Sequence, residues 1–87
     1  MRFDYDPAKS AANKAKHGID FKEAQALWTD ENLIIAPTNN ADEKRYVAVG
    51  KIAGKHWAAV WTERGEEIRL ISVRRARMKE VERYEST

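Results

Sequence analysis

Cationic and imidazole side chains recur near both ends of this 87-residue chain, at spacings that suit chemistry on a phosphate group. Lys9 and Asn13, with Lys16 or His17 after them, follow at steps of three or four residues, which places them on one face of a helix. Imidazole titrates near neutral pH, so His17 is the natural candidate for proton transfer. The structural alternative is that the lysines are solvated and that His17 interacts with the C-terminus of its helix.

Arginine dominates the second half of the chain. Arg64 lies between a predicted strand and a turn, and Arg74 lies between the last predicted strand and the last predicted helix. A guanidinium group stays charged and grips two phosphate oxygens at once. The sequence therefore predicts Arg64 and Arg74 as the groups that stabilise charge on a reacting phosphate, although surface arginines without a function are the alternative.

The distribution of charge supports a basic face. Net charge is +2 overall, but residues 1–32 carry five Lys/Arg against six Asp/Glu, whereas residues 33–87 carry eleven against eight. The segment from Arg69 to Lys79 contains five cations and no acid. Such a patch would hold the phosphates of a nucleic acid, or it is a solvated helix face.

Several classes of function are disfavoured by what the sequence lacks. Without cysteine there is neither a disulfide nor a thiolate metal site. No apolar stretch approaches the roughly 20 residues of a membrane span, and the start of the chain lacks an apolar signal segment. Carboxylates at metal spacing and a glycine-rich phosphate loop are also missing. We therefore expect a single cytoplasmic domain with no cofactor, no metal site and no membrane association.

Helix caps and hydrophobic periodicity divide the chain into elements. Asp6 and Pro7 suit an N-cap and a first helical position, and Gly18 suits a left-handed C-cap. Asp20 suits the N-cap of a second helix, and Glu23 three residues later suits a capping box with it. The predicted helices cover 8–16, 21–28 and about 74–84, and the predicted strands cover 33–36, 44–53, 56–62 and 67–73. The sequence therefore predicts an α+β domain with two N-terminal helices, a four-stranded antiparallel meander and a C-terminal helix.

The pairing of the two central strands depends on the turn between them. Gly54 followed by Lys55 suits a two-residue hairpin turn with glycine first. This turn would place Val49 opposite Val60. If the next turn also has two residues, Arg69 and Ile71 join the same sheet face as these valines.

Alternation along the central strands separates a core face from a second face. The predicted core face carries Tyr46, Ala48, Gly50, Ile52, Trp57, Ala59 and Trp61. Two tryptophans make it the face that packs against the helices. The second face mixes Val47, Val49 and Val60 with Arg69, so we expect an RNA cleft or a surface for a protein partner there.

One ordered set of residues extends over nearly the whole chain, from about Phe3 to Tyr84. Its members are Asp6-Pro7-Ala8-Lys9, Asn13, Lys16-His17-Gly18, Phe21, Ala24, Asp30, Arg45, Gly50, Thr62-Glu63-Arg64, Arg69, Ile71-Ser72-Val73-Arg74, Ala76, Glu80 and Tyr84. In this set the chain resembles BrnT-type toxins. It differs from the usual family pattern at Tyr5, where Trp is usual, and at Val73, where Ala is usual.

The resemblance implies a ribonuclease toxin of a type II toxin–antitoxin pair with a RelE-like fold. It implies a BrnA-type ribbon-helix-helix antitoxin as partner, RNA as substrate, and contact with operator DNA only through the antitoxin. His17, Arg64 and Arg74 are then the predicted catalytic residues of a metal-independent endoribonuclease. The predicted RNA-binding residues are Lys9, Asn13, Lys16, Arg45, Arg69, Arg77 and Tyr84. The alternative is a non-catalytic RNA- or protein-binding module that uses the same basic face.

Overall fold

A computed structural model describes residues 2–39 and 43–86 of the chain. The α+β class is confirmed, with three helices and a five-stranded mixed sheet. The elements are β1 (Arg2–Asp4), α1 (Pro7–His17), α2 (Phe21–Ala24) with a following 3₁₀ segment (Gln25–Thr29), β2 (Ile34–Pro37), β3 (Tyr46–Ile52), β4 (Lys55–Arg64), β5 (Glu67–Arg75) and α3 (Met78–Glu85). Within the described ranges no helix is long and apolar enough to cross a membrane.

The sheet has the strand order β1-β5-β4-β3-β2. The four strands from β2 to β5 form the predicted antiparallel meander, but β1 adds a fifth strand that runs parallel to β5. The prediction of a purely antiparallel, four-stranded sheet is therefore wrong. Three residues are too few to show an alternating pattern, and their partner strand lies more than 60 residues away, at Glu67 to Arg69.

The helix caps form as the sequence predicts. Asp6 accepts a hydrogen bond from the backbone N–H of Ala8 at 2.8 Å, and Gly18 ends α1 with a φ of 81°. Asp20 and Glu23 complete their capping box at the start of α2. The α-helical part of that element is shorter than predicted, since it ends at Ala24 and continues as 3₁₀ helix.

The last helix begins four residues later than predicted. Arg74 and Arg75 still belong to β5, where they pair with Ala58 and Trp57 of β4. α3 begins only at Met78. The residue before it, Arg77, donates its backbone N–H to Glu80 Oε1 at 2.8 Å, and this bond caps the helix. Continued strand pairing overrides the helical spacing of this segment, so Arg74 lies on a strand.

The hairpin between β3 and β4 has a different turn from the predicted one. Ala53 and Gly54 form it, with φ values of 50° and 80°, and two positive φ angles are the requirement of a type I′ turn. Val49 therefore pairs with Ala58 and not with Val60, a shift of two residues. Because the shift is an even number, every side chain keeps its predicted face.

β5 contains a β-bulge opposite the Val60–Trp61 step of β4. Leu70 pairs with Trp61 and Ser72 pairs with Val60, so Ile71 is the extra residue. The prediction placed Ile71 on the second face beside Arg69. Ser72 lies on that face instead, opposite Val60, whereas Arg69 pairs with Thr62 and lies on the predicted face.

The core lies between the tryptophan face of the sheet and the N-terminal helices, as predicted. Trp57, Trp61, Ala48 and Ala59 are buried there. The residues that pack against them include Ile19, Phe21, Ala24, Leu27, Ile68, Leu70 and Val73. The second face is covered only in part, because α3 brings Tyr84 over Val49 and Ala58. This face has room for a functional site.

The type I′ turn gives a stability prediction. An L-residue with a Cβ is strained at positive φ, and Asn tolerates this conformation better than Ala. We expect Ala53→Asn to stabilise the protein by about 0.5–1 kcal/mol and to raise the Tm by roughly 2–8 °C. Gly54→Ala is the opposing control and should destabilise by about 1 kcal/mol. Thermal unfolding followed by circular dichroism measures both, and a lower Tm for Ala53→Asn would contradict the turn assignment.

Candidate nucleic-acid interface

Four predicted cationic residues meet in one depression of the surface, called here the basic cleft. Lys9 comes from the first turn of α1, Arg45 from the residue before β3, Arg64 from the end of β4 and Arg69 from β5. Its volume is about 150 Å³, far above the roughly 10–15 Å³ that one water needs. The remaining lining residues are Glu43, Thr62, Leu70 and Ile71.

Strand register explains why these cations converge. Thr62 pairs with Arg69 across β4 and β5, and Tyr46 pairs with Trp61, so Arg45 lies one step beyond β3 on the side of Thr62. Thr62 also donates a hydrogen bond from Oγ1 to the backbone oxygen of Lys44 at 2.6 Å. This bond fixes the backbone that carries Arg45 against β4.

Two of the arginines are oriented by carboxylates. Arg69 Nη1 donates to Asp4 Oδ2 at 2.8 Å, between residues that are also direct partners in the β1–β5 register. Arg45 Nε donates to Glu43 Oε1 at 2.9 Å. A guanidinium group has five N–H donors, so each arginine keeps donors for a ligand. The ion pairs fix the direction of the two side chains.

Lys9 and Arg64 differ from this pair. Both side chains are exposed, and within residues 2–39 and 43–86 neither makes an ion pair. The cleft lining thus carries four cations against one carboxylate, that of Glu43. Such a site attracts a polyanion, and its two uncompensated cations are free to close on it.

Arg74 lies outside the basic cleft. Its Nη1 and Nη2 atoms donate to Glu80 Oε1 and Oε2 at 2.7 and 3.0 Å, in a bidentate pair at the start of α3. The hydrogen bonds to Glu80 raise the pKa of Arg74, and those from Arg74 lower the pKa of Glu80. Arg74 pairs with Ala58, six residues from Arg64 on β4, or about 20 Å at the rise of a strand. The structure therefore does not bring the two predicted catalytic arginines together.

Asn13 is buried, with 8% of its surface exposed. Its Nδ2 donates to the backbone oxygens of Ile19 and Val73 at 2.8 and 2.9 Å, and its Oδ1 accepts from the N–H of Val73 at 3.1 Å. Both N–H donors are used by backbone groups. Asn13 thus clamps α1 to β5, and we leave it out of the proposed RNA-binding set.

Tyr84 is also a buried side chain, with 6% exposed, and it does not present its ring for stacking on a base. Its hydroxyl donates to Asp30 Oδ2 at 2.7 Å, and this bond raises the pKa of Tyr84. Partial burial opposes ionisation of Asp30, but hydrogen bonds from the Lys51 N–H, Tyr84 and the Asn32 N–H outweigh it and lower the pKa of Asp30. Tyr84 therefore anchors α3.

The remaining predicted residues lie away from the basic cleft. Lys16 and His17 are in the last turn of α1, about 12 Å from Lys9 along the helix axis. Arg77 is exposed immediately before α3. His17 as the proton-transfer group, and Lys16 and Arg77 as RNA contacts, stay predictions.

Sequence reasoning did not single out Asp4 or Glu43 as members of the site. Alternation along β4 did place Thr62 on the same sheet face as Arg64. Asp4 could not be found in this way, because its contact with Arg69 depends on the parallel pairing of β1. No cluster of three His, Asp or Glu side chains suited to a metal ion occurs in the described part of the chain.

The fold and the cleft define a small basic α+β protein in which four cations from separate segments line one depression. Residues 5–80 match the model of the family described as the ribonuclease toxin BrnT of type II toxin–antitoxin systems. The match covers most of the chain, so the protein belongs to this family. A comparison with curated proteins gives no match.

The burial of Asn13 gives a prediction that separates structure from RNA contact. Asn13→Ala removes the partners of three buried backbone groups, so we expect a loss of about 2–4 kcal/mol in the free energy of unfolding. Lys16→Ala, one turn away and exposed, should change it by less than about 0.5 kcal/mol. Urea unfolding of both variants provides the measurement. Equal stability of the two would show that the clamp contributes nothing.

Proposed function

We propose that the protein is a metal-independent endoribonuclease whose basic cleft binds the scissile phosphate of RNA. The observation that carries the proposal is the convergence of Lys9, Arg45, Arg64 and Arg69 from four separate segments of the chain. Family membership supplies the class of activity, that of a ribonuclease toxin. The cleft supplies the charge that the reaction needs.

RNA carries its own nucleophile beside each phosphate. The ribose 2′-oxygen attacks the adjacent phosphorus as its proton departs, a P–O bond forms, and the bond to the 5′-oxygen breaks as that oxygen gains a proton. The products are a 2′,3′-cyclic phosphate and a 5′-hydroxyl. Negative charge grows on the phosphate oxygens in the transition state, and fixed cations around it lower the barrier.

The cations of the basic cleft have different roles in the proposed mechanism. Arg45 and Arg69 are held by Glu43 and Asp4, so they form a fixed wall that sets the position of the phosphate. Arg64 has no such restraint in the described structure and an exposed side chain, so it is free to move onto the phosphate oxygens. We assign the main stabilisation of charge to Arg64, in place of the Arg64–Arg74 pair.

The wider function follows from the family. As a toxin of a type II pair, the protein would arrest growth by cutting RNA and would be neutralised by its antitoxin. We propose a BrnA-type antitoxin with a ribbon-helix-helix domain, through which the complex contacts operator DNA. A RelE-like arrangement of the chain agrees with the central antiparallel strands beneath N-terminal helices.

A non-catalytic module that binds RNA through the same cleft is the second candidate. The two ion-paired arginines favour it, because fixed cations are sufficient for binding alone. Cleavage by purified protein separates the two candidates.

Metal independence has a direct test. Antitoxin-free protein incubated with single-stranded RNA in excess EDTA should cleave it, because the cleft cations supply the charge stabilisation. The products should carry 2′,3′-cyclic or 3′-phosphate ends, identified by mass spectrometry. Cleavage that disappears in EDTA and returns with Mg²⁺ would refute the metal-free mechanism, and no cleavage under any condition would favour the binding module.

The assignment of Arg64 has its own test. Arg64→Ala should lower the cleavage rate about 100- to 1000-fold, the usual effect of removing one electrostatic donor. Stability should change by less than about 0.5 kcal/mol, since the side chain is exposed. Arg64→Lys keeps the charge without the bidentate grip and should be intermediate. Lys22→Ala on α2 is the control for loss of one charge, and an Arg64→Ala protein as active as this control would remove Arg64 from the mechanism.

A further inference from the structure

An apolar groove of about 220 Å³ lies on the second face of the sheet, beside α3. Register places Ile34 and Ala36 of β2 next to Val49 and Val47 of β3, and these four residues line its floor. Lys79, Glu80 and Arg83 of α3 form its wall. Val49 itself is only 3% exposed because Tyr84 packs on it, so the open part of the groove lies toward β2.

The rim of the groove is positively charged. Lys79 and Arg83 are four residues apart, so they share one face of α3. Neither takes part in an ion pair among the described residues. Glu80 also lines the groove, but its charge is balanced by the bidentate contact with Arg74. The groove therefore combines an apolar floor with two uncompensated cations.

An exposed hydrophobic side chain lies at the start of the groove wall. Among the described residues the large hydrophobic side chains that are exposed are Met78, at 78%, and Ile35, at 49%. Met78 is the first residue of α3 and precedes Lys79 of the wall, whereas Ile35 pairs with Ala48 and so lies on the opposite face of β2 from Ile34 and Ala36. An open apolar floor with an exposed Met78 at its border is typical of a surface that binds another protein.

The edge strand β2 indicates which secondary structure the partner segment has. β2 has four residues and ends at Pro37, which has no backbone N–H to offer a further strand. Strand addition is therefore poorly supported at this edge. An amphipathic helix, which docks through side chains at steps of three and four residues, suits the groove better.

Shared lining residues relate the groove to the basic cleft. Pro37 lines both the groove and a neighbouring depression that also contains Thr38, Lys44, Arg45 and Tyr46. Arg45 in turn lines both this depression and the basic cleft. We call this series of three neighbouring depressions the path, and its cations favour a partner segment with acidic side chains.

We propose that this path is the docking site of the antitoxin, through an acidic amphipathic segment. The apolar face of a short helix fills the groove, its acidic side chains meet Lys79 and Arg83, and the acidic chain that continues from it occupies the basic cleft. The antitoxin thereby excludes RNA by taking the place of its phosphates. The identities of the partner and of the excluded ligand rest on the proposed function.

The experiment uses this chain and the BrnA-type antitoxin proposed above, with affinity measured by titration calorimetry. The double variant Lys79→Glu/Arg83→Glu should weaken binding about 10- to 100-fold, because it turns two attractions into repulsions. Ala36→Trp, which fills the groove without a change of charge, should also weaken binding at least tenfold. Lys22→Glu/Lys55→Glu is the control with the same change of charge on exposed residues outside the path, and it should bind as the unchanged protein does.

Competition tests the second half of the path. A 2′-O-methyl RNA oligonucleotide has no free 2′-hydroxyl and cannot be cleaved, so its binding is read directly by fluorescence anisotropy. Added antitoxin should displace it in proportion to occupancy. Simultaneous binding of both would show that the antitoxin does not enter the basic cleft and would overturn this part of the proposal.

Two further outcomes separate this inference from the proposed function. If the groove variants bind the antitoxin as tightly as the control while losing affinity for the oligonucleotide, the groove belongs to the RNA site and the inference is wrong. If the unchanged protein cuts no RNA but the groove variants still lose the antitoxin, the ribonuclease proposal fails and the docking site stands. RNA cleavage or circular dichroism at the level of the unchanged protein shows that each variant is folded.

Discussion

The hydrogen bonds of Asn13 hold together two of the elements that carry the site, α1 and β5. Asn13 joins α1 to Val73 of β5 and to the backbone at Ile19, where the chain turns toward α2. Lys9 lies one helical turn before Asn13, and Arg69 lies four residues before Val73. The buried amide of Asn13 therefore ties together the backbone segments that carry these two cations. A polar side chain in the interior gives a site made of mutually repelling groups its fixed geometry.

The two faces of the sheet differ in how far helices cover them, and this difference separates the stabilising core from the candidate functional surface. The tryptophan face is filled by α1, α2 and the 3₁₀ segment, and it supplies most of the buried apolar surface. The second face has only α3, an eight-residue helix held by Tyr84 to Asp30 and by Glu80 to Arg74. Stability resides on one face, so the other is free to carry charge and an open apolar groove. Repulsion between the like charges of the basic cleft is tolerated, because the core on the tryptophan face is stabilised without contributions from the cleft.

Much of this fold was readable in the sequence, since local signals placed the caps of α1 and α2 and alternation gave the core face. The turn at Ala53–Gly54 was missed because alanine seldom adopts positive φ, yet an even register error left the face assignment intact. Asn13 and Tyr84 were predicted to bind RNA, and Arg74 to act in catalysis, because residue type and spacing do not reveal the partners of a side chain. In the structure each makes hydrogen bonds to a partner that is distant in sequence or lies across a strand–helix junction. The convergence of Lys9 with Arg45, Arg64 and Arg69 could not be predicted either, because it depends on the pairing of strands that are distant in the sequence.

The bulge at Ile71 shows how a site of this kind can arise through a change in chain length. Without the extra residue, Leu70 and Ser72 would be neighbours opposite Trp61 and Val60, and the β4–β5 ladder would be regular. The added residue lines the basic cleft near Lys9, while Ile68, Leu70 and Val73 all remain in the core. It also brings Arg69 and Arg74, five positions apart, to the same face of the sheet. One bulged residue thus adds a side chain to the wall of the cleft, while the residues on either side of it remain packed in the core.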